Sequence, residues 1–228
     1  MTVHPAARPT RSTRSTGWVP VTLIAVVLIP AIAGSLRLVE LSGGPLLLPA
    51  NPRMTASPAP VFVHIVCAVA YAVLGAFQFS AALRRRHPAW HRVAGRVLVV
   101  LGLAVAFSAL WMTLFYPRQP GTGDLAFVLR LAFGSAMAAS ILVAFAAIRG
   151  GDVTRHQAWM TRAYALALGA GTQTFTLGLG HALFGTSALT TDLSLGAAWA
   201  HNLAIAERVI RRTSSRRPAQ ATARGKSS

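Results

Sequence analysis

Long apolar runs separated by short polar segments dominate the chain. A helix that crosses a lipid bilayer needs about 20 mostly apolar residues, because the hydrocarbon layer is about 30 Å thick and each helical residue advances about 1.5 Å. Six stretches meet this requirement, and they cover residues 18–38, 59–83, 97–115, 125–148, 163–184 and 193–210. The sixth is the least apolar, since it contains His201, Asn202 and Glu207. The pattern predicts an all-α fold, a polytopic transmembrane bundle of six helices.

The two ends of the chain have a different composition. Residues 1–17 and 211–228 are polar and rich in Arg, Ser, Thr, Pro and Ala. We expect them to form disordered basic tails on either side of a transmembrane domain of residues 18–210. The first apolar stretch has an alternative interpretation as a cleaved signal peptide, because Ala31-Ile32-Ala33 resembles a small-residue cleavage site.

Charge is scarce and strongly basic. Only 12% of the residues are charged, and 22 basic residues against 5 acidic ones give a formal net charge of +17. A soluble protein with this charge would suggest a nucleic-acid partner. Here the basic residues lie between apolar runs, so we expect the lipid bilayer, and no nucleic acid, as the partner.

The placement of the arginines predicts the orientation. Most basic residues fall in the first tail, in the connections that follow the second and fourth apolar stretches, and in the last tail. These four segments lie on one side of the membrane if all six stretches cross it. Because cytoplasmic segments carry the excess of Arg and Lys, the pattern predicts cytoplasmic termini in a bacterial inner membrane.

Histidines are the ionisable residues that the membrane pattern explains least. His64 and His181 lie near the outer ends of their stretches, whereas His91 and His156 lie at the inner side. Each of these four is a candidate metal ligand, with His91 and His156 as an inner pair and His64 with His181 as an outer pair. His201 is the alternative second member of the outer pair, and we expect its side chain to face the bundle interior.

Two bis-histidine sites stacked across a helical bundle would suit two haem b groups, because imidazole is a common axial ligand of haem iron. Arginines beside the inner histidines, namely Arg92, Arg96 and Arg162, could hold haem propionates, a lipid phosphate or an acidic partner. Motifs for nucleotide binding or zinc proteolysis are absent from the sequence, which leaves open whether the protein is an enzyme.

Three ordered motifs carry a resemblance to a known family. They are His64 with Gly75 and Gln78, then His91-Arg92-x-x-Gly95-Arg96, then Gly151-Asp152 leading to His156-x-x-Trp159-Met160-x-Arg162-x-Tyr164. Over roughly residues 61–176 the chain resembles the bacterial predicted membrane proteins catalogued as domain of unknown function 2306. The resemblance implies a multi-pass membrane protein and supplies no reaction. It also implies an arginine about a dozen residues past Trp159-Met160, where this chain reads Gly171-Thr172-Gln173-Thr174-Phe175.

The leading functional hypothesis is a haem-b-binding membrane protein that passes electrons between an inner and an outer centre. The arrangement of the histidines is loosely similar to that of di-haem membrane b-type cytochromes. Such a role implies a redox protein or a quinone as partner. The alternatives are a non-catalytic partner subunit or scaffold, and a small-solute transporter that uses His201. The sequence does not predict an oligomeric state.

Overall fold

Helices account for nearly all of the structure. The computed structural model describes residues 18–225, with side chains to residue 215. This part of the chain contains no strand, and its helices are α1 (Trp18–Leu41), α2 (Pro52–Thr55), α3 (Pro58–Gln78), α4 (Ala81–Arg86), α5 (Pro88–Phe115), α6 (Asp124–Arg149), α7 (Val153–Ala167), α8 (Gly169–Phe184) and α9 (Ala188–Gly225). The predicted all-α class is confirmed. The predicted tail of residues 1–17 lies outside the described residues.

Local capping signals set several helix boundaries that differ from the predicted ones. α3 ends at Gln78, and the Ser80 hydroxyl accepts a hydrogen bond from the Leu83 amide (3.3 Å), which starts the separate helix α4. α5 then begins at Pro88, well before residue 97, because proline suits the first turn of a helix. The composition of the second apolar stretch predicts one helix over residues 59–83, but the structure divides this stretch between α3 and α4.

The fifth apolar stretch forms two helices rather than one. α7 begins at Val153, where the Asp152 carboxylate accepts a hydrogen bond from the Arg155 amide (2.9 Å), and α8 follows after a break at Leu168. Beside the break, the Asn202 side-chain amide of α9 donates to the carbonyl oxygen of Ala165 (3.2 Å). A polar side chain from a neighbouring helix thus supports the backbone where the regular ladder is interrupted.

The long helices pack in a closed ring. α1 contacts α3 and α8, α3 contacts α5, α5 contacts α6, and α6 and α8 both contact α9. α7 packs against α6, α9 and α3. The core where α3, α5, α6 and α7 meet includes the fully buried side chains of Tyr71 and Ile141. Small residues let the backbones approach, since a Cβ on Gly171 of α8 would meet the Val26 carbonyl oxygen of α1.

The outer surface of the ring is apolar. On α5, for example, 69% of Val100 and 56% of Phe107 is exposed. Among the described residues, α1, α3, α5 and α6 are long and apolar enough to cross a membrane. α7 and α8 have 15 and 16 residues, too few for a span on their own. Lipid is the environment in which such exposed apolar faces are stable.

A buried carboxylate joins two helices at the end of the bundle opposite α4. Asp192 of α9 is 2% exposed and accepts hydrogen bonds from the backbone amides of Gly123 (3.0 and 3.1 Å) and Ala126 (3.1 Å). These amides belong to the first turn of α6, which has no intrahelical acceptors for them. The charge of Asp192 also suits the positive end of the α6 dipole.

α9 does not stop at the end of its apolar part. The sequence predicts a disordered tail from residue 211, whereas helical backbone continues to Gly225. Arginine, alanine and glutamine in this stretch favour a helix, whereas Pro218 within it does not.

Candidate functional site

A large cavity lies at the end of the bundle that carries α4 and the beginning of α7. Its volume is about 1160 Å³, and it is lined by residues of α3, α4, α5, α6, α7 and α9. Its basic lining residues are Arg84, Arg92, Arg96, Arg149, His91 and His156. No aspartate or glutamate of the described residues lines it. The cavity therefore favours a ligand with a negative charge at one end.

The rest of the wall is mostly apolar. Aliphatic, thioether and aromatic side chains face the cavity from four helices, and they include Leu98, Val99, Val100, Phe145, Ile148, Met160, Val209 and Ile210. An apolar wall combined with a few converging polar groups is typical of a small-molecule site. The combination suits an amphipathic ligand, with an apolar body and an anionic end.

Both histidines of the predicted inner pair line this cavity. His156 of α7 has its Nδ1 atom 2.9 Å from the carbonyl oxygen of Ala144 on α6. A carbonyl can only accept, so Nδ1 carries a proton, and in the neutral ring Nε2 then has the lone pair. A metal-binding histidine characteristically donates its other ring N–H in this way. The pairing of His91 with His156 on one ligand stays a prediction.

Three polar side-chain atoms around the cavity are buried and have no partner among the described residues. They are the Tyr71 hydroxyl, the Gln78 side-chain nitrogen and His91 Nδ1. All three residues line the cavity. Buried polar atoms in folded proteins almost always have a hydrogen-bond partner. Their location therefore points to a ligand or to ordered water in this space.

Arg162 is engaged elsewhere, unlike Arg92 and Arg96. Its guanidinium group donates two hydrogen bonds to the Glu207 carboxylate of α9, at 2.6 and 3.1 Å. It also lies over the Trp159 ring, 4.7 Å from the ring centroid. Arg162 does not line the cavity. Of the three arginines that the sequence suggests for an anionic ligand, two remain available, and the third connects α7 to α9.

The outer histidines have separate partners. Nδ1 of His64 is 3.0 Å from the Ser108 hydroxyl of α5 and 3.2 Å from the Val105 carbonyl oxygen. Nε2 of His181 is 3.0 Å from the Thr191 hydroxyl of α9. In the ring, α1 lies between α3 and α8, the helices that carry these two histidines. The pairing of His64 with His181 stays a prediction.

His201 has the opposite orientation to the predicted one. Its side chain is exposed on the surface of α9, whereas the next residue, Asn202, is 8% exposed. Asn202 accepts a hydrogen bond from the Thr172 hydroxyl (2.9 Å) in addition to its bond with Ala165. Residues one apart on a helix point about 100° from each other, so only one of the two can face inward. The expectation that His201 faces the interior is wrong, and Asn202 takes that place.

Some uncharged cavity residues could have been found from their spacing along the sequence, which charge and histidine positions do not show. Tyr71, Gly75 and Gln78 follow one another at spacings of four and three residues, which places them on one face of α3. Tyr164 ends the third of the motifs described above, and its hydroxyl donates to the Ala72 carbonyl oxygen (2.6 Å). Its ring occupies the space that a Cβ on Gly75 would need. The first and third motifs are therefore in direct contact.

No cluster of three or more His, Cys, Asp or Glu side chains suited to a metal ion occurs in the described residues. No curated protein and no solved structure matches the chain. The family of predicted membrane proteins named DUF2306 matches residues 61–210, which span α3 to the apolar part of α9 and include every helix around the cavity. The chain therefore belongs to the DUF2306 family of predicted membrane proteins.

Proposed function

We propose that the chain crosses a bacterial inner membrane six times with both termini in the cytoplasm. The spans are α1, α3, α5, α6, α7 with α8, and the apolar part of α9. The clustering of Arg84, Arg92, Arg96 and Arg149 around one cavity supports this orientation, because these residues come from three helices and share one end of the bundle. The positive-inside rule places that end in the cytoplasm.

Reporter fusions test this topology. A reporter that is active only outside the cytoplasm should be silent when it is fused after Ser228, and active when it is inserted in the connection of residues 42–51 between α1 and α2. A cytoplasmic reporter at the same two positions should give the reverse pattern. Activity of the external reporter after Ser228 would contradict the proposed orientation.

For the cavity we propose the binding of haem b, whose iron His91 and His156 would hold. The observation that carries the proposal is that both histidines, from α5 and α7, line one cavity whose charged lining residues are all basic. When bound, the group would supply one-electron redox chemistry. The proposed function is therefore electron transfer at the cytoplasmic side of the membrane.

The residues around the cavity fit this group in three respects. The bond from His156 to Ala144 fixes the ring orientation and leaves Nε2 as the ligating atom. Arg92 and Arg96 provide partners for propionate groups near the cavity's basic end. The apolar side chains of the wall would contact the flat macrocycle.

Absorption spectroscopy of the purified protein tests haem binding. The protein should show a Soret band and the bands of a reduced b-type centre. His91→Ala and His156→Ala should each abolish most of this absorption, because each removes an axial ligand. His64→Ala and His181→Ala are the matched controls, and they should retain it. A colourless, intact and monodisperse protein from haem-replete cells would refute the proposal.

The alternative is a non-catalytic role in which the cavity holds the phosphate of an anionic lipid. The absence of any acidic lining residue among the described ones favours it, because four arginines then remain to neutralise a phosphate. Co-purification of anionic lipid with the colourless protein would support this alternative. Its loss in a variant with both Arg92→Gln and Arg96→Gln would assign the lipid to the cavity.

A further inference from the structure

We propose that the part of the cavity beside α3 binds the head group of a membrane-soluble quinone through Tyr71, Gln78 and His91. This inference names the partner of the proposed redox site and in that sense rests on it. Binding of the quinone itself requires only the cavity. The two ideas can therefore fail separately.

The three polar groups line the cavity from two adjacent helices. Tyr71 and Gln78 are two turns apart on one face of α3, a separation of about 10 Å along the helix axis. His91 belongs to α5, which packs along α3. The Tyr71 hydroxyl, the Gln78 amide nitrogen and His91 Nδ1 are each buried without a partner among the described residues. Each of them can donate a hydrogen bond.

Aromatic side chains make the same region suitable for a flat ring. The rings of Tyr71 and Tyr164 are 5.8 Å apart between centroids, and those of Phe79 and Tyr164 are 5.0 Å apart. All three residues line the cavity. Aromatic neighbours stabilise a planar ligand by stacked or tilted contacts. The Tyr164 hydroxyl already donates to Ala72, so Tyr164 contributes its ring alone.

The chemistry of these groups selects the class of ligand. Several donors beside aromatic rings suit a planar molecule with acceptor oxygens at its edge. Tyr71 lies within α3, which is apolar enough to cross a membrane, so a membrane-soluble ligand suits this position. A quinone meets these requirements, because it is uncharged and planar and carries two carbonyl acceptors. The arginines also line the cavity but are not required for this contact.

A pair of tyrosine variants tests the inference. Binding of ubiquinone-1 to the purified full-length protein in detergent is measured by calorimetry, with haem-free and haem-loaded preparations compared. Tyr71→Phe should weaken binding about tenfold, because it removes one donor and keeps the ring. Its thermal stability should not fall, since that hydroxyl has no protein partner. Gln78→Leu should weaken binding to a similar extent.

Tyr116→Phe is the matched control. Tyr116 does not line this cavity, and its hydroxyl donates to the Ser57 carbonyl oxygen, so thermal stability should fall while ubiquinone-1 affinity stays within about twofold. Equal weakening by both tyrosine variants, or no saturable binding by the unmodified protein, would overturn the inference. Quinone binding to a protein that takes up no haem would refute only the haem proposal. Haem uptake without quinone binding would refute only this one.

Discussion

Replacing Gly171 by alanine should destabilise the protein by about 3 kcal/mol, at the upper end of the usual cost of overpacking. The new methyl group would meet the carbonyl oxygen of Val26 and would lie 2.8 Å from the Cγ1 atom of the same residue. A backbone carbonyl cannot rotate away as a side chain can, so α1 and α8 would have to separate. Unfolding in mixed micelles, followed as the fraction of denaturing detergent rises, measures the change.

Gly178→Ala in the same helix is the control for helix propensity. A Cβ at Gly178 meets nothing within 4 Å. Alanine forms helix better than glycine does, so this variant should be unchanged or more stable by up to about 1 kcal/mol. Equal destabilisation by the two variants would show that α1 does not approach α8 at Gly171.

Asp192→Ala should also cost about 3 kcal/mol. The substitution removes the acceptor for the backbone amides of Gly123 and Ala126, and a buried donor left without a partner costs about 1–3 kcal/mol. It also removes a negative charge from the beginning of α6. The same micelle unfolding experiment measures the loss, and Asp192→Asn should recover part of it because the amide oxygen still accepts.

Asp124→Ala is the matched control at the same end of α6. The Asp124 side chain is 91% exposed and pairs only with Arg118, itself 54% exposed. Exposed ion pairs contribute at most about 1 kcal/mol, so this variant should be close to the unmodified protein. If Asp124→Ala destabilised the protein as much as Asp192→Ala, general charge at this end would explain the effect, and the capping role of Asp192 would be refuted.

Apolar run length predicts most of the helices because the bilayer imposes a minimum length. The predicted ends at Phe115 and Ile148 agree with α5 and α6 to within one residue. The errors occur where local capping chemistry overrides composition. Pro88 and Asp152 are both recognisable start signals, and each lies upstream of the residue at which the apolar run becomes continuous.

The rotation of each helix about its axis was harder to predict. A helix in lipid is apolar on every side, so periodicity does not show which face turns inward. For this reason His201 was expected inside, whereas Asn202 occupies that position. The pairing of Arg162 with Glu207 depends on the same rotation. That His91 and His156 line one cavity was predictable, because each lies in the first turn of a helix at the same end of the bundle.

The break at Leu168 has a consequence for biogenesis. The polar groups that support it belong to α9, since Asn202 contacts both Ala165 and Thr172. α9 follows α7 and α8 in the chain, so these two helices are joined by an unsupported break until α9 packs beside them. A chain that ends before α9 would lack both hydrogen bonds, and we expect α7 and α8 to hold a less fixed angle to each other in it.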